Sequence, residues 1–222
     1  MSRYDSLLAS PGFSREKLAL LANKRVLLIG VGGVGQHVST YLITNGVKDL
    51  TIVDFDKVEM SNLNRQILLS EEDVGKYKVN VVKSALSNKN SETNITSINM
   101  KVDENNIFDI IDGYDVVIDA VDNWKSKLAI SKSVRSKNIL SLHIGVSGYR
   151  GQFAILKNKS LLDVVDESIL SSPKEGVMGP MVGFLASIAT LHLIRYLIGE
   201  NIDSDVLYFY DDKTSNIGKI NL

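Results

Sequence analysis

The sequence predicts a Rossmann-like α/β fold: a mostly parallel sheet with flanking helices, closed by antiparallel strands at its C-terminal side. Three observations predict it. Short apolar, β-branched runs alternate with helix-length segments through residues 25–150. A glycine-rich turn follows the first run and opens a helix. Beyond Gly151 the alternation gives way to a strand, a polar loop, a long apolar helix and two last strands.

Taken in order, residues 1–24 form a helical arm. Arg25–Ile29 (RVLLI) is a buried strand, Gly35–Asn45 a helix stopped at Gly46, and Leu50–Val53 a second strand ending at Asp54. Tyr77–Leu86 is helical, Asn94–Asn99 a third strand and Val116–Ile118 a fourth. Trp124–Lys137 is an amphipathic helix and Ile139–Ile144 another strand. Helix-length segments between strands require parallel pairing with right-handed crossovers. Tyr149-Arg150 reads as part of a crossover turn, Gln152–Leu156 as a strand and Lys157–Gly176 as a polar loop. Asp205–Tyr210 and Gly218–Leu222 close the sheet. The 222 residues then make one domain: the arm, a core over 25–150, and a closing region over 151–222.

Composition narrows the function. A formal net charge of −1 argues against a nucleic-acid surface. With no cysteine, the chain offers no thiolate for zinc, no disulfide and no cysteine nucleophile. His37, His143 and His192 lack ligand spacing and read as structural, so no zinc is expected. The N-terminus has no basic segment leading into an apolar core, and a cytoplasmic protein is expected. Val177–Ile198 approaches the length of a bilayer span but carries Pro180, Gly183, His192 and Arg195. It is expected to be a buried helix that also forms an interface in a homodimer, with no membrane partner.

Chemistry starts at LLIGVGGVGQHV, where Gly30, Gly32 and Gly35 satisfy G-x-G-x-x-G between a strand and a helix. Such a turn brings backbone amides and a helix N-terminus to a phosphate. Asp54, at the end of the next strand, can accept the hydroxyls of an unmodified ribose. A nicotinamide dinucleotide fits these features alone. The residues after Asp54 do not suit hydride transfer: Asn62, Asn64, Arg65 and Gln66, then Lys78. A guanidinium and an ammonium suit a polyphosphate attacked at its α-phosphorus, where charge builds on oxygen. Asp122, beside Asn123 after the fourth strand, suits a magnesium ion on those phosphates, while Asp56 either assists that ion or caps its loop.

At these residues the sequence resembles the ThiF/MoeB/HesA adenylyltransferases, relatives of ubiquitin-activating enzymes. The matching blocks are GVGGVG (30–35), IVDFDKVEMSNLNRQ (52–66), VGKYK (74–78), IDAVDN (118–123) and GVMGPMVG (176–183). The resemblance implies adenylation of the C-terminal glycine carboxylate of a small ubiquitin-like sulfur carrier, with ATP and magnesium, releasing pyrophosphate. It assigns Gly33 to the nucleotide turn beside Gly30, Gly32 and Gly35, and Asp54 to the ribose. The stretch Ser61, Asn62, Leu63, Asn64, Arg65 and Gln66 falls at the phosphates, Lys78 at the α-phosphate, Asp122 at magnesium and Asn123 beside the nucleoside. It also implies that Arg65 reaches across a homodimer into the neighbouring site.

The chain departs from the family pattern in three places. It lacks the paired C-x-x-C of zinc-holding members, and the loop DVVDESILSSPKE (163–175) has no cysteine to receive an activated acyl group. The family's N-terminal RYxRQ reads Arg3-Tyr4-Asp5-Ser6 here, so Arg3 or Arg15 substitutes for the missing arginine or activity is weakened. The alternatives are adenylation of a peptide-precursor carboxylate, an NAD(P)-dependent oxidoreductase, and a non-catalytic nucleotide-binding scaffold.

Overall fold

A computed structural model describes residues 2–165 and 175–222. Part of the loop expected over 157–176, including most of DVVDESILSSPKE, lies outside the described residues. The arm carries α1 (Asp5–Leu8) and α2 (Arg15–Ala22). The core continues as β1 (Arg25–Ile29), α3 (Gly33–Thr44), β2 (Asp49–Asp54), α4 (Lys78–Lys89) and β3 (Asn94–Asn99). Next come α5 (Ile107–Ile110), β4 (Val116–Asp119), α6 (Trp124–Ser136), β5 (Leu140–Ser147) and β6 (Arg150–Leu156). Then α7 (Gly179–Leu197), β7 (Val206–Asp211) and β8 (Asn216–Asn221) finish the chain.

All eight strands join one sheet in the order β3-β2-β1-β4-β5-β6-β7-β8. The first five are parallel, and β6, β7 and β8 add on antiparallel. From β1 the chain travels outward to β2 and β3, then returns to the other side of β1 for β4 and β5. The reversal opens a crevice at the carboxyl ends of β1 and β4, where ligands bind in sheets of this type.

Strand alternation explains the two helix layers. Val26 and Leu28 of β1 face one side with Leu50 and Ile52, and there α3, α4 and α7 supply Val38, Leu42, Val82, Leu86, Leu185 and Leu193. Leu27, Ile29, Val53 and Val117 face the other side, against Ile107 of α5 and Ile130 and Val134 of α6. Both faces of the central strands are therefore apolar, as parallel strands require.

α7 is long and apolar enough to cross a membrane. It packs instead on α3, β5 and β6 and buries Met181, Leu185, Ala186, Ala189 and Leu193. Phe184 and Leu191 remain exposed on it, at 41% and 54%.

Three sequence expectations change. Tyr149-Arg150 sits at the tip of a β5–β6 hairpin in which Ser147 pairs with Arg150, not in a crossover; antiparallel pairing needs only a tight turn, and Gly148 supplies its positive φ of 56°. α3 begins at Gly33, two residues early, because the glycines are themselves the first helical turn. β8 starts at Asn216, since pairing with Asp211 of β7 extends it.

Candidate active site

The glycine turn is shaped by close packing. Gly30 has φ 92°, and a Cβ there would stand 2.7 Å from the Ala120 carbonyl oxygen. Gly30 N–H donates to Val53 O at 2.8 Å and Ala120 N–H to Ile29 O at 2.9 Å, so the turn is stitched to β2 and β4 at once. A Cβ on Gly35 would run into the Gly30 carbonyl. Gly32 is the N-cap of α3, and the amides of that first turn face the crevice end of the sheet.

Asp54 ends β2 beside this turn. Its Oδ2 accepts from Val31 N–H and its Oδ1 from Asp56 N–H, each at 2.8 Å. Burial pushes its carboxyl above the usual range; the Asp56 and Val31 amides and the Lys78 ammonium pull the other way. Asp54 thus braces the turn, and a carboxylate has lone pairs left for ribose hydroxyls.

The SNLNRQ segment folds over the turn. A 3₁₀ turn at Met60–Asn62 is closed by Glu59 N–H donating to Asn62 Oδ1 at 3.1 Å, and Ser61 Oγ donates to Glu59 at 3.3 Å. Asn62 is buried and shapes the loop, while Leu63 ends the 3₁₀ turn. Gln66, 2% exposed, accepts from Gln36 Nε2 at 3.3 Å and is the nearest side chain to Gly32. Arg65 Nη1 donates to Ser61 O and Asn64 Oδ1, each at 2.9 Å. Its aliphatic stem lies 3.3 Å from where a Cβ on Gly33 would stand. The stem of Arg65 thus packs against the glycine turn of its own chain.

Lys78 opens α4 and is almost buried, its Nζ 3.0 Å from Asp56 Oδ2. Asp122 is exposed just beyond β4. Asn123 caps α6 through Ser126 N–H at 2.9 Å. Among the described residues, no three His, Asp or Glu side chains gather to hold an ion by themselves. Arg3 lies away from its own chain's crevice: its guanidinium is held by Lys89 O at 3.0 Å and Glu92 at 3.6 Å, beside the C-terminal end of α4. Lys78 is at the other end of that helix, about 16 Å away.

Two features escaped the sequence reading. Gln36 holds Val31 O at 3.0 Å, Gln66, and Leu68 N–H at 2.8 Å, tying the SNLNRQ segment to α3. Beneath the Asp122 loop lie the buried Asp119, Lys127 and His143, joined by the partly buried Gln152. Lys127 Nζ donates to both Asp119 oxygens at 3.2 Å and to Ile144 O at 2.9 Å. His143 Nδ1 lies 2.9 Å from Asp119 Oδ2, and Gln152 Nε2 lies 3.2 Å from His143 Nε2. Burial would raise the Asp119 carboxyl, but the Lys127 ammonium and the bonds from His143 and Lys127 outweigh it and hold it below the usual range. Burial and Lys127 together push His143 down. One signal was available, since Lys127, Ile130 and Val134 recur at i, i+3 and i+7 on one helix face.

The ThiF family model matches residues 4–222. A probable molybdopterin-synthase adenylyltransferase of Gracilaria tenuistipitata var. liui is 34% identical over 195 residues, covering 84% of this chain and 55% of that protein. The chain thus spans about half the length of that relative. The sulfur carrier protein ThiS adenylyltransferase of Escherichia coli (strain K12) is 29% identical over 202 residues, covering 88% of this chain and 80% of that protein. The crystal structure of E. coli MccB with AMPCPP and MccA superposes with a TM-score of 0.86 at 24% identity, covering 99% of this chain and 71% of that one; this likeness shows the fold.

Proposed function

The chain belongs to the ThiF family, and from that premise we propose that it is an ATP-dependent adenylyltransferase. It activates the C-terminal carboxylate of a small ubiquitin-like sulfur-carrier protein, in the cytoplasm. The observation that carries this reading is the convergence of the glycine turn, Asp54, Arg65, Gln66 and Lys78 on one end of the sheet, next to the β4 end that bears Asp122. Nucleotide recognition and cationic phosphate contacts meet there, with no side chain suited to hydride chemistry required. Relatives named as adenylyltransferases favour the same reading over the oxidoreductase.

The chemistry uses the groups at hand. A carrier carboxylate oxygen attacks the α-phosphorus of ATP, a new P–O bond forms, and the bond to the bridging oxygen breaks, releasing pyrophosphate. The nucleophile arrives already ionised, so no general base is needed. The load falls on charge stabilisation, where Arg65 and Lys78 would meet the α-phosphate and leaving group. Lys78 rests on Asp56, whose side chain is about half exposed at 49%. On nucleotide binding the ammonium would exchange this partner for phosphate oxygen. Asp54 would hold the ribose, while Asn123 would lie beside the nucleoside.

Asp122 fits magnesium by its donor chemistry: a magnesium ion takes one or two carboxylates and fills its shell from phosphates and water. When bound, the ion would neutralise phosphate charge. The working unit is a homodimer, supported by the exposed Phe184 and Leu191, seven residues apart on one face of α7.

Pyrophosphate–ATP exchange tests the activity. Exchange should appear only with magnesium and a small carrier ending in glycine, and should vanish when that glycine is removed. Exchange absent with every carrier and peptide offered would overturn the reading.

A further inference from the structure

Burying an ion pair takes two charges out of water, a cost their attraction barely offsets, and apolar replacements of such pairs are often neutral or stabilising. Asp119 and Lys127 are 3% and 5% exposed, so the pair needs a reason beyond stability. Its contacts supply one. The Lys127 ammonium has three hydrogens and three acceptors: the two Asp119 oxygens and Ile144 O. With His143 Nδ1–H donating to Asp119 Oδ2, its Nε2 is left to accept from Gln152. The three Lys127 hydrogens and both His143 ring nitrogens are all engaged in this arrangement. The set joins the end of β4, the first turn of α6, β5 and β6.

Asp119 Oδ1 also accepts Val121 N–H at 3.2 Å, at the root of the loop leading to Asp122. The far end of that loop is held by the Asn123 cap on α6, four residues before Lys127. Both ends of the Val121–Asn123 loop are therefore anchored to groups that Lys127 connects. We propose that Lys127, acting through Asp119, is a positioning residue: it fixes the Val121–Asn123 loop against β5 and so sets where Asp122 and Asn123 meet MgATP. The role at MgATP rests on the adenylyltransferase reading; the anchoring of the loop does not.

Hydrogen exchange read by mass spectrometry over residues 120–126, together with MgATP binding by calorimetry, tests it. The key variant is the double replacement Asp119→Leu with Lys127→Met, which swaps the pair for apolar groups of similar size. Melting temperature should fall, because the buried His143 N–H and the Ile144 carbonyl lose their partners; loop exchange should be at least tenfold faster and MgATP binding about tenfold weaker. Lys127→Arg should restore both loop protection and binding relative to Lys127→Met. Val134→Ala, a cavity in the same helix, should lower the melting temperature and leave loop exchange and binding near wild type. A double variant that keeps wild-type loop protection would overturn the proposal, as would Val134→Ala loosening the loop equally. Loop loosening in the double variant alongside no pyrophosphate exchange in wild type would instead reject the adenylyltransferase reading and leave the anchoring intact.

Discussion

Burial and the nearby Lys127 ammonium hold His143 below the usual histidine range, which has a consequence for stability. The folded protein keeps this imidazole neutral, while the unfolded chain takes up a proton below about pH 6.5. Its contribution is therefore complete above that pH and lost as pH falls toward the folded value, by at most one proton, or about tenfold in the folding constant per pH unit. We expect His143→Gln, which can still donate to Asp119, to flatten the fall in stability between about pH 6.5 and 5. Urea unfolding across that range checks it, and an unchanged slope would contradict it. Asp119 acts in a lower window: its depressed carboxyl contributes stability above the ordinary value of about 3.9, lost as pH falls through its folded value. Lys78 should matter to turnover more than to folding. If Lys78 meets the phosphates as proposed, Lys78→Ala removes a cation there, and we expect pyrophosphate exchange to fall by about a hundredfold or more. A loss confined to the KM for ATP would mean that it binds nucleotide without stabilising the reaction.

The glycine turn and α3 work as one element, because the turn's last glycine is already inside the helix. A methyl on Gly35 has nowhere to go but the Gly30 carbonyl. Gly35→Ala should therefore cost on the order of 1–3 kcal/mol and spoil the turn. Thermal unfolding together with ATP binding tests this, and wild-type values for both would refute it. By contrast, a Cβ on Gly75 meets nothing within 4 Å, although its φ of 88° still strains a side chain. α7 shows the other limit of element-level reading. Its length and apolarity fit a membrane span, a core helix or an interface equally, and only packing on α3, β5 and β6 identifies its buried face.

At the scale of the whole molecule, the proposed homodimer needs a defined face. If α7 forms that face, Leu191→Glu should leave the melting temperature within about a degree or two and reduce the sedimentation coefficient to that of one chain. A Leu191→Glu protein that still sediments as a dimer would move the interface elsewhere. Arg65 rests against its own Gly33, so we expect it to serve its own chain's site. Mixed Arg65→Ala and Asp122→Ala proteins should then regain no activity when their subunits exchange. In such a heterodimer one site lacks Arg65 and the other lacks Asp122, so neither is intact. Recovery near about a quarter of wild type, with exchange verified by mass, would instead mean that Arg65 crosses the interface.

Much of this was legible in the chain itself. Strands such as RVLLI and LTIV declare themselves because a parallel strand buried on both faces must be apolar throughout, and the glycine spacing marks a tight turn because no larger residue fits at Gly30 or Gly35. The order of Asp54, the SNLNRQ segment, Lys78 and Asp122 was enough to suggest polyphosphate chemistry. Tertiary structure alone decided the partners. Which carboxylate Lys78 rests on, that Arg65 lies on Gly33 of its own chain, and that Asp119, Lys127, His143 and Gln152 share one hydrogen-bonded set depend on how β1, β4, β5 and β6 are brought side by side. Those contacts join residues from separate strands and helices, and local pattern, which records only which way a side chain faces, carries no information about what it will meet there.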